Sequence, residues 1–507
     1  MNRPKVYFVG AGPGDPGLIT RRGAQLLRRA DCIIYDGLVN PAILDDCSLK
    51  AERICVRKRT GDRPFTQDQI NQIIVQKARQ YPCVVRLKGG DPGIFGRAAE
   101  EIQSCLKADI RYEMVPGVTA ATAAAQYAGF FLTDREHSSQ VIFVTGQEAP
   151  DKEQSAIDWD LLARFNGTIV FYMGMGRLDR ITQTLIEKGK DAKTPAIAIQ
   201  HASLPAQRLA QGSLETIAQN CCQTNLQPPA IVVIGPAAVY RKETDWFTKR
   251  PLFGKTVLIT RDARGNRALA ERISELGGQP IPLDAIAVVD LTDTPESKAI
   301  VPKIKQFDWV IFTSGHGIAC TIDLLRKQNC DLRAFGSCQI VCIGEETARR
   351  LNDFGLRADF VPSEYVSNVL ADELAHYTNL KGKKILLLRS AIAPEDLPDR
   401  LKSHGALVEQ IHVYTVQPTD RQISADQDII KLIQSSQVDW ITFTSSSTVQ
   451  SFLNRIGADI LRQNRVKIAS IGPITSRRLQ ENGLKIAVEA RPHTTEGLIE
   501  AMVNYHD

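Results

Sequence analysis

Residues 5–20, KVYFVGAGPGDPGLIT, open as a strand and close as a turn. Val6 to Val9 form an unbroken apolar and aromatic run, the pattern of a strand covered on both faces. Glycines at 10, 12, 14 and 17 and prolines at 13 and 16 end it, and Thr20 stands where the N-cap of the next segment, TRRGAQLLRRA, belongs. Strand, glycine turn and helix together begin an α/β unit whose ligand edge lies at the carboxyl end of the strand. This turn is not a dinucleotide fingerprint. Counted from Gly10, G-x-G-x-x-G requires glycine or alanine at position 15, where the chain has Asp15, and a carboxylate facing a pyrophosphate is repelled. No NAD site is expected.

Working outward, short β-branched runs (DCIIYD, CVVRLKG, SQVIFVTG, GTIVFYMG, PAIAIQH, PAIVVIG) alternate with segments of helical period. The alternation predicts α/β domains with largely parallel sheets. At 507 residues the chain holds about three or four folding units. Hydrophobic residues at 43% and charged residues at 23% exclude disordered and fibrous classes. No apolar run approaches the roughly 18 residues of a membrane span, and the N-terminus enters a strand without a signal-peptide pattern. Eleven cysteines without a C-x-x-C pair read as reduced thiols in a cytoplasmic protein, with no metal site. A net charge of +5 is too small to imply nucleic acid and suits an anionic small molecule.

The polar stretch 241–253 reads as a junction, and beyond it the chain repeats. Gly254-Lys255-x-x-Leu258-x-x-Arg261 returns 128 residues later as Gly382-Lys383-x-x-Leu386-x-x-Arg389. FDWVIFTSG from Phe307 returns as VDWITFTSS from Val438, and IGEETARRLNDFGL from Ile343 returns as IGPITSRRLQENGL from Ile471. The C-terminal half is therefore expected to form two similar α/β lobes with a ligand cleft between them. No such repeat is visible before the junction.

Two further N-terminal blocks carry candidate chemistry. In VRLKGGDPGIFGRAAEE, Val85 to Glu101, a strand leads into Gly89, Gly90 and Asp91, which read equally as a ligand cradle or a tight turn. In VPGVTAATAAA, Val115 to Ala125, small residues open a helix at Thr119, either to admit a ligand or to pack. Together with YDGLVN, YMGMG and GFFLTDRE these blocks resemble the uroporphyrinogen-III C-methyltransferases over residues 4–247. The resemblance implies a two-lobed tetrapyrrole (class III) methyltransferase, usually a homodimer, that binds S-adenosylmethionine between its lobes. It places methyl-donor contacts on Pro13, Gly89, Gly90, Asp91, Ile94, Thr119, Ala120, Met173 and Ala202, a proton acceptor on Asp36 and a proton donor on Lys58. Ala202-Ser203 departs from the family's Gly-Thr, and Gly37 replaces an arginine of YDRLV. The basic segment KAERICVRKRTGDR offers Arg57 and Arg59 to the eight carboxylates of such a substrate; apart from the resemblance it reads as a solvated basic face.

Beyond the junction there is no metal spacing, Walker loop or G-x-S-x-G elbow. Hydroxyl residues recur at strand ends instead, at Ser314, Thr347, Ser445 and Thr475, as helix caps or as grips for carboxylates. The order FTSGHG, IGEETARRL, PSEYVSNVL, IHVYTVQP, FTSSSTV, IGPITSRRL resembles uroporphyrinogen-III synthase over residues 254–507. That implies one lobe of about 254–289 plus 417–507 and another of about 290–416, joined by a two-strand ladder of LDAIAVVD and VEQIHVYTV. It implies closure of hydroxymethylbilane to uroporphyrinogen III with ring D inverted. The family's recurrent tyrosine falls on Tyr414, as proton donor to the leaving hydroxyl or as a packing residue. The joint expectation, with domains at 1–247 and 254–507 around a 248–253 junction, is a bifunctional enzyme making uroporphyrinogen III and methylating it at C-2 and C-7. Its partners would be small tetrapyrroles, with no nucleic acid and no membrane.

Overall fold

The structure is a computed structural model that describes residues 5–48, 50–56, 65–148, 155–239, 243–364, 367–419 and 423–506. Arg57, Lys58 and Arg59 lie outside the described residues. The chain divides into two compact units, one of residues 1–255 with 274–279 and the other of 256–273 with 280–507. Each contains two five-stranded sheets.

In the first unit, β1 (Val6–Gly10), β2 (Cys32–Tyr35), β3 (Glu52–Cys55), β4 (Val84–Lys88) and β5 (Tyr112–Val115) pair in the order β3-β2-β4-β1-β5, all parallel. Every residue of β1 and β4 is buried, as central strands with helices on both faces must be. Helices α1 (Arg21–Arg29), α2 (Gln67–Gln80) and α3 (Ala98–Lys107) connect them, and Thr20 caps α1 by accepting the Gly23 N–H at 3.1 Å. The second sheet orders β6 (Val141–Thr145), β7 (Thr168–Tyr172), β8 (Pro195–Gln200), β9 (Arg208–Ser213) and β10 (Ala230–Ile234) as β6-β7-β10-β8-β9. Only β6 and β7 run parallel; the other three pairings are antiparallel. Here the sheet departs from the parallel arrangement that the alternation predicts. Residues 201–207 between β8 and β9 are too few for a parallel crossover, which needs about a dozen.

Helix α4 (Ala120–Tyr127) follows β5 of the first sheet yet packs on the second. Ala121, Ala124, Ala125 and Ala128 lie against Val170, Ile197, Ile199 and Val233, and side chains this small let helix and sheet approach closely. Past β10 the junction is docked rather than free. Trp246 Nε1 donates to the Gln126 carbonyl at 3.0 Å, the Phe247 ring packs on Tyr127 and Phe253, and the Arg250 guanidinium lies 4.6 Å from the Trp246 ring centroid.

In the second unit, β11 (Thr256–Arg261), β12 (Gln279–Asp284), β13 (Ile286–Asp290), β14 (Trp309–Phe312), β15 (Gln339–Cys342), β16 (Lys384–Ser390), β17 (Leu407–Pro418), β18 (Trp440–Phe443), β19 (Lys467–Ser470) and β20 (Val488–Glu489) make sheets β12-β11-β18-β19-β20 and β13-β17-β16-β14-β15. The repeats exchange strands: β11 of the first repeat pairs with β18 of the second, and β16 of the second pairs with β14 of the first. Both lobes are therefore built from both repeats. The sequence's ladder is narrower than the two quoted segments. Only 414–418 pairs with 286–290, antiparallel, while 407–412 runs parallel to β16. The chain passes between sheets at Ala285, whose carbonyl accepts from Ser451 Oγ and from the Thr419 N–H at 3.4 Å.

Among the described residues no helix is long and apolar enough to cross a membrane, and no group of three His, Cys, Asp or Glu is placed to hold a metal ion.

Candidate active sites

At the carboxyl edge of the first unit's parallel sheet, three glycine turns meet backbone to backbone. Gly12 and Gly90 exchange hydrogen bonds (2.7 and 3.2 Å) with both residues at positive φ, +79° and +67°. A Cβ on Gly117 would fall 2.3 Å from the Gly90 carbonyl oxygen and 2.8 Å from Gly10 Cα, so only glycine permits this approach. The Asp91 carboxylate ties the turns together, accepting from the Gly93 N–H at 2.7 Å and the Gly117 N–H at 3.0 Å. In front of the turns there is space: a Cβ on Gly89 would meet only Leu38, at 3.7 Å, and one on Gly90 only backbone at 3.7 Å or more.

The facing wall comes from the second sheet and α4. Tyr172, at the end of β7, shares a 2.5 Å hydrogen bond with Thr119 Oγ1 and accepts the Ala121 N–H at 3.2 Å. Burial holds its phenol above the ordinary range, so it serves as a neutral cap for the start of α4. Ile94, Ala120 and Ala202 pack in one apolar cluster with it. The Phe95 ring packs at a tilt on Tyr172, centroids 5.1 Å apart, yet stays 41% exposed, and Met173 is 50% exposed. Phe95, Met173, His201 and Ser203 all have φ between +50° and +65°, a conformation non-glycine residues adopt at a cost and mostly where a site imposes it.

Pro13 is half-buried in a loop closed by a ring of bonds that the sequence did not announce. The Asp15 N–H donates to Ser203 Oγ (3.0 Å), the Ser203 N–H to Gln207 Oε1 (3.0 Å), Gln207 Nε2 to the Tyr127 carbonyl (3.0 Å) and the Tyr127 hydroxyl to Asp15 Oδ2 (2.7 Å). The ring joins the first glycine turn to the strand end that carries the Ala202-Ser203 departure, and Ser203 supplies its hydroxyl there. Asp15 faces Tyr127 and caps its own turn at the Gly17 N–H.

Asp36 follows β2, its N–H donating to the Leu87 carbonyl at 3.2 Å, and belongs to a buried charge cluster. Arg86, 1% exposed in mid-strand, donates to Asp36 Oδ1 at 2.5 Å and to Glu101 Oε1 at 3.0 Å. Lys88 Nζ donates to both Glu101 oxygens (3.0 and 3.1 Å) and lies 4.0 Å from Asp36 Oδ2. Burial works against the Arg86 charge, but Asp36 and Glu101 outweigh it and hold the guanidinium protonated. Burial, then the neighbouring Arg86, pull the Lys88 ammonium below its ordinary value. Four charges sum to zero, and the Asp36 carboxylate, a third exposed, is the member that reaches solvent.

In the second unit the strand ends gather different chemistry. Ser314 caps the helix Gly315–Lys327 through the Gly317 N–H (3.1 Å) and bonds the Tyr414 hydroxyl at 2.7 Å. Tyr414 is 6% exposed, and burial, above all, raises its phenol. Ser445 caps the helix Ser446–Arg455 through the Thr448 N–H at 3.2 Å. Thr347 and Thr475, 7% and 4% exposed, sit in the first turns of the helices Glu345–Asn352 and Pro473–Glu481. His316 places Nε2 3.5 Å from Asp262 Oδ2 and its ring 5.8 Å from that of Tyr414. Burial opposes ionisation of Asp262, but the bonds from His316 and the Gly265 N–H and the Arg261 charge overcome it and bring the carboxyl down to about 2.

Two family models match the chain in tandem: tetrapyrrole (corrin/porphyrin) methylases over residues 5–218 and uroporphyrinogen-III synthase HemD over 267–500. The porphyrin biosynthesis protein HemD of Ruminiclostridium josui is 33% identical over 503 residues, covering 99% of this chain and 98% of its own. The S-adenosyl-L-methionine-dependent uroporphyrinogen III methyltransferase of Methanosarcina barkeri is 45% identical over 234 residues, 46% of this chain and 92% of that protein. The uroporphyrin-III C-methyltransferase of Thermus thermophilus, solved with bound S-adenosyl homocysteine, is 35% identical with a TM-score of 0.40, covering 46% of this chain and 97% of that one.

Proposed function

The chain belongs to the tetrapyrrole methylases in its first half and to the uroporphyrinogen-III synthases in its second, and from that premise we propose that it makes uroporphyrinogen III and then methylates it. One observation carries the reading: a relative covered almost end to end has both families in the same chain, and the product of one activity is the substrate of the other. Hydroxymethylbilane loses water as ring D inverts and the macrocycle closes. Two methyl groups then pass to C-2 and C-7 to give precorrin-2, which lies at the branch to siroheme and cobalamin.

The residues of the first unit fit S-adenosylmethionine. Open space before Gly89 and Gly90, exposed Met173 and Phe95, and the small residues Ala120 and Ala202 make a cradle for an adenosine and its methionine tail, with Pro13, Asp91, Ile94 and Thr119 shaping the turns that hold it. When bound, it supplies an electrophilic methyl group. Asp36, held by Arg86, accepts the proton that the macrocycle releases after each transfer. Lys58 as proton donor and Arg57 and Arg59 as carboxylate contacts complete the assignment. Aligning the reacting carbon with the methyl group is most of the catalytic task.

For the second unit, Tyr414 with its Ser314 bond is the donor to the leaving hydroxyl, and Ser314, Thr347, Ser445 and Thr475 with their loop N–H groups contact substrate carboxylates. The active form is a homodimer through the first unit, in the cytoplasm. The test is to give the purified chain hydroxymethylbilane with and without S-adenosylmethionine and to identify products by isomer and mass. Type III macrocycle alone, and a dimethylated product with the donor, are expected. Only the spontaneous type I isomer would make the second unit a binder without turnover and defeat the bifunctional reading.

A further inference from the structure

Arg389 is the penultimate residue of β16 and is 3% exposed. Its Nη2 donates to the Pro394 carbonyl at 2.5 Å, while Nε and Nη1 are buried without a partner. A guanidinium cannot shed its charge in a protein, and buried N–H donors left unbonded are strongly unfavourable. No carboxylate closes the gap: Glu395, Asp396 and the Tyr414 hydroxyl lie near enough to be felt, but none bonds it. The sequence repeat puts Arg261 at the matching position, the end of β11 in the other lobe. Burial acts on its charge in the same direction as on Arg389. Among the described residues none bonds its guanidinium; the adjacent Asp262 carboxylate, then Glu346 and Glu496, act on its charge only through space. Room is kept for it by Gly265, where a Cβ would fall 2.5 Å from Arg261 Nε.

We propose that Arg389 and Arg261 are a matched pair of carboxylate-binding residues, one per lobe, each receiving an acidic side chain of the linear tetrapyrrole. The proposal rests on the synthase reading above and deepens it. The idle Nε–H and Nη1–H donors of Arg389, on different edges of its guanidinium, each fit one carboxylate oxygen through a charge-assisted bond, and a lysine ammonium cannot place donors at both points. One grip in each lobe ties the two halves of a flexible chain to two bodies, so the approach of the lobes sets the approach of the chain ends. Such control suppresses the unaided closure in which ring D keeps its orientation.

The experiment measures type III formation from hydroxymethylbilane by the full chain carrying Arg389→Met, Arg389→Lys, Arg261→Met or Arg261→Lys. Each methionine variant is expected to raise KM about 10- to 100-fold, the loss of a charge-assisted contact, and each lysine variant to recover only part of it. Methyl transfer to supplied uroporphyrinogen III should be unchanged in all four, which certifies the fold of the first unit. Should a methionine variant misfold, its lysine counterpart decides. Unchanged KM in folded variants overturns the proposal. So does an equal rise in Gln410→Leu, whose buried, unpartnered amide oxygen on the adjoining strand would then be the true partner of Arg389. Failure of the unaltered chain to form the type III isomer would instead remove the synthase reading itself.

Discussion

Replacing Asp91 by alanine removes one carboxylate and two hydrogen bonds, at 2.7 Å to the Gly93 N–H and at 3.0 Å to the Gly117 N–H. A bond to a charged acceptor contributes about 1.5–3 kcal/mol. Gly93 is exposed and Gly117 half-buried, so water restores part of both, leaving a net loss of about 2–4 kcal/mol. The loss falls on the contact between the second and third glycine turns, which frames the methyl-donor cradle. If that geometry is needed in the transition state, 2–4 kcal/mol corresponds to a fall of roughly 30- to 1000-fold in kcat/KM for methyl transfer. The assay is transfer of labelled methyl from S-adenosylmethionine to uroporphyrinogen III, with cyclisation of hydroxymethylbilane measured on the same preparation. Cyclisation should persist, because Asp91 lies in the first unit. Asp91→Asn, which keeps one acceptor oxygen, should lose about 10-fold. A folded Asp91→Ala chain within threefold of normal methyl transfer, or one that loses both activities, would refute the reasoning.

Gly117→Ala drives a Cβ against two stretches of backbone that cannot rotate away. It should lower the calorimetric transition of the first unit by about 3 kcal/mol and methyl transfer by at least about 100-fold, sparing cyclisation. Ser203→Ala takes the acceptor from the Asp15 N–H, and a KM for S-adenosylmethionine raised roughly fivefold is expected, about 1 kcal/mol; an unchanged KM would detach the bond ring from the donor site. Asp262 has a folded value of about 2, below its unfolded value near 4. Its contribution, on the order of 1–2 kcal/mol, is present above pH 4 and is lost as pH falls from 4 toward 2. Denaturant titrations at pH 7, 4 and 3 should show that loss in the unaltered chain and not in Asp262→Asn.

Much of this was legible because glycine and repetition leave marks in sequence. The turns at 10–14 and 89–91 follow fully apolar strands, and few other residues tolerate φ near +70° there. The 128-residue offset announced two similar lobes, but not that β11 and β16 would trade places, because a repeat fixes likeness and not pairing. Charges in mid-strand misled most. Arg86 and Lys88 look like an ordinary amphipathic alternation in VVRLK, and their partners Asp36 and Glu101 sit 50 and 15 residues from Arg86. Tyr172 passed as a strand residue although its hydroxyl holds the start of α4 from across the cleft. His316 was silent for a similar reason: Asp262 comes from the other lobe, at the end of β11. Ser314 and Ser445 were visible as strand-end hydroxyls, and their capping bonds are the local reason serine stands there.

The traded strands also dictate an order of assembly as the chain leaves the ribosome. The sheets of the first unit are complete once Ile234 has emerged. By contrast β11 waits for β18, and the bond from Thr260 Oγ1 to the Thr442 carbonyl closes a separation of 182 residues. The other lobe finishes earlier, since Lys384 reaches back only 76 residues to Asp308. Although β11 is made first in its half, its lobe closes last, and its unpaired edges stay open to wrong partners meanwhile. A stop codon before Trp440 would therefore leave β11 without β18 and spoil the lobe that begins at residue 256.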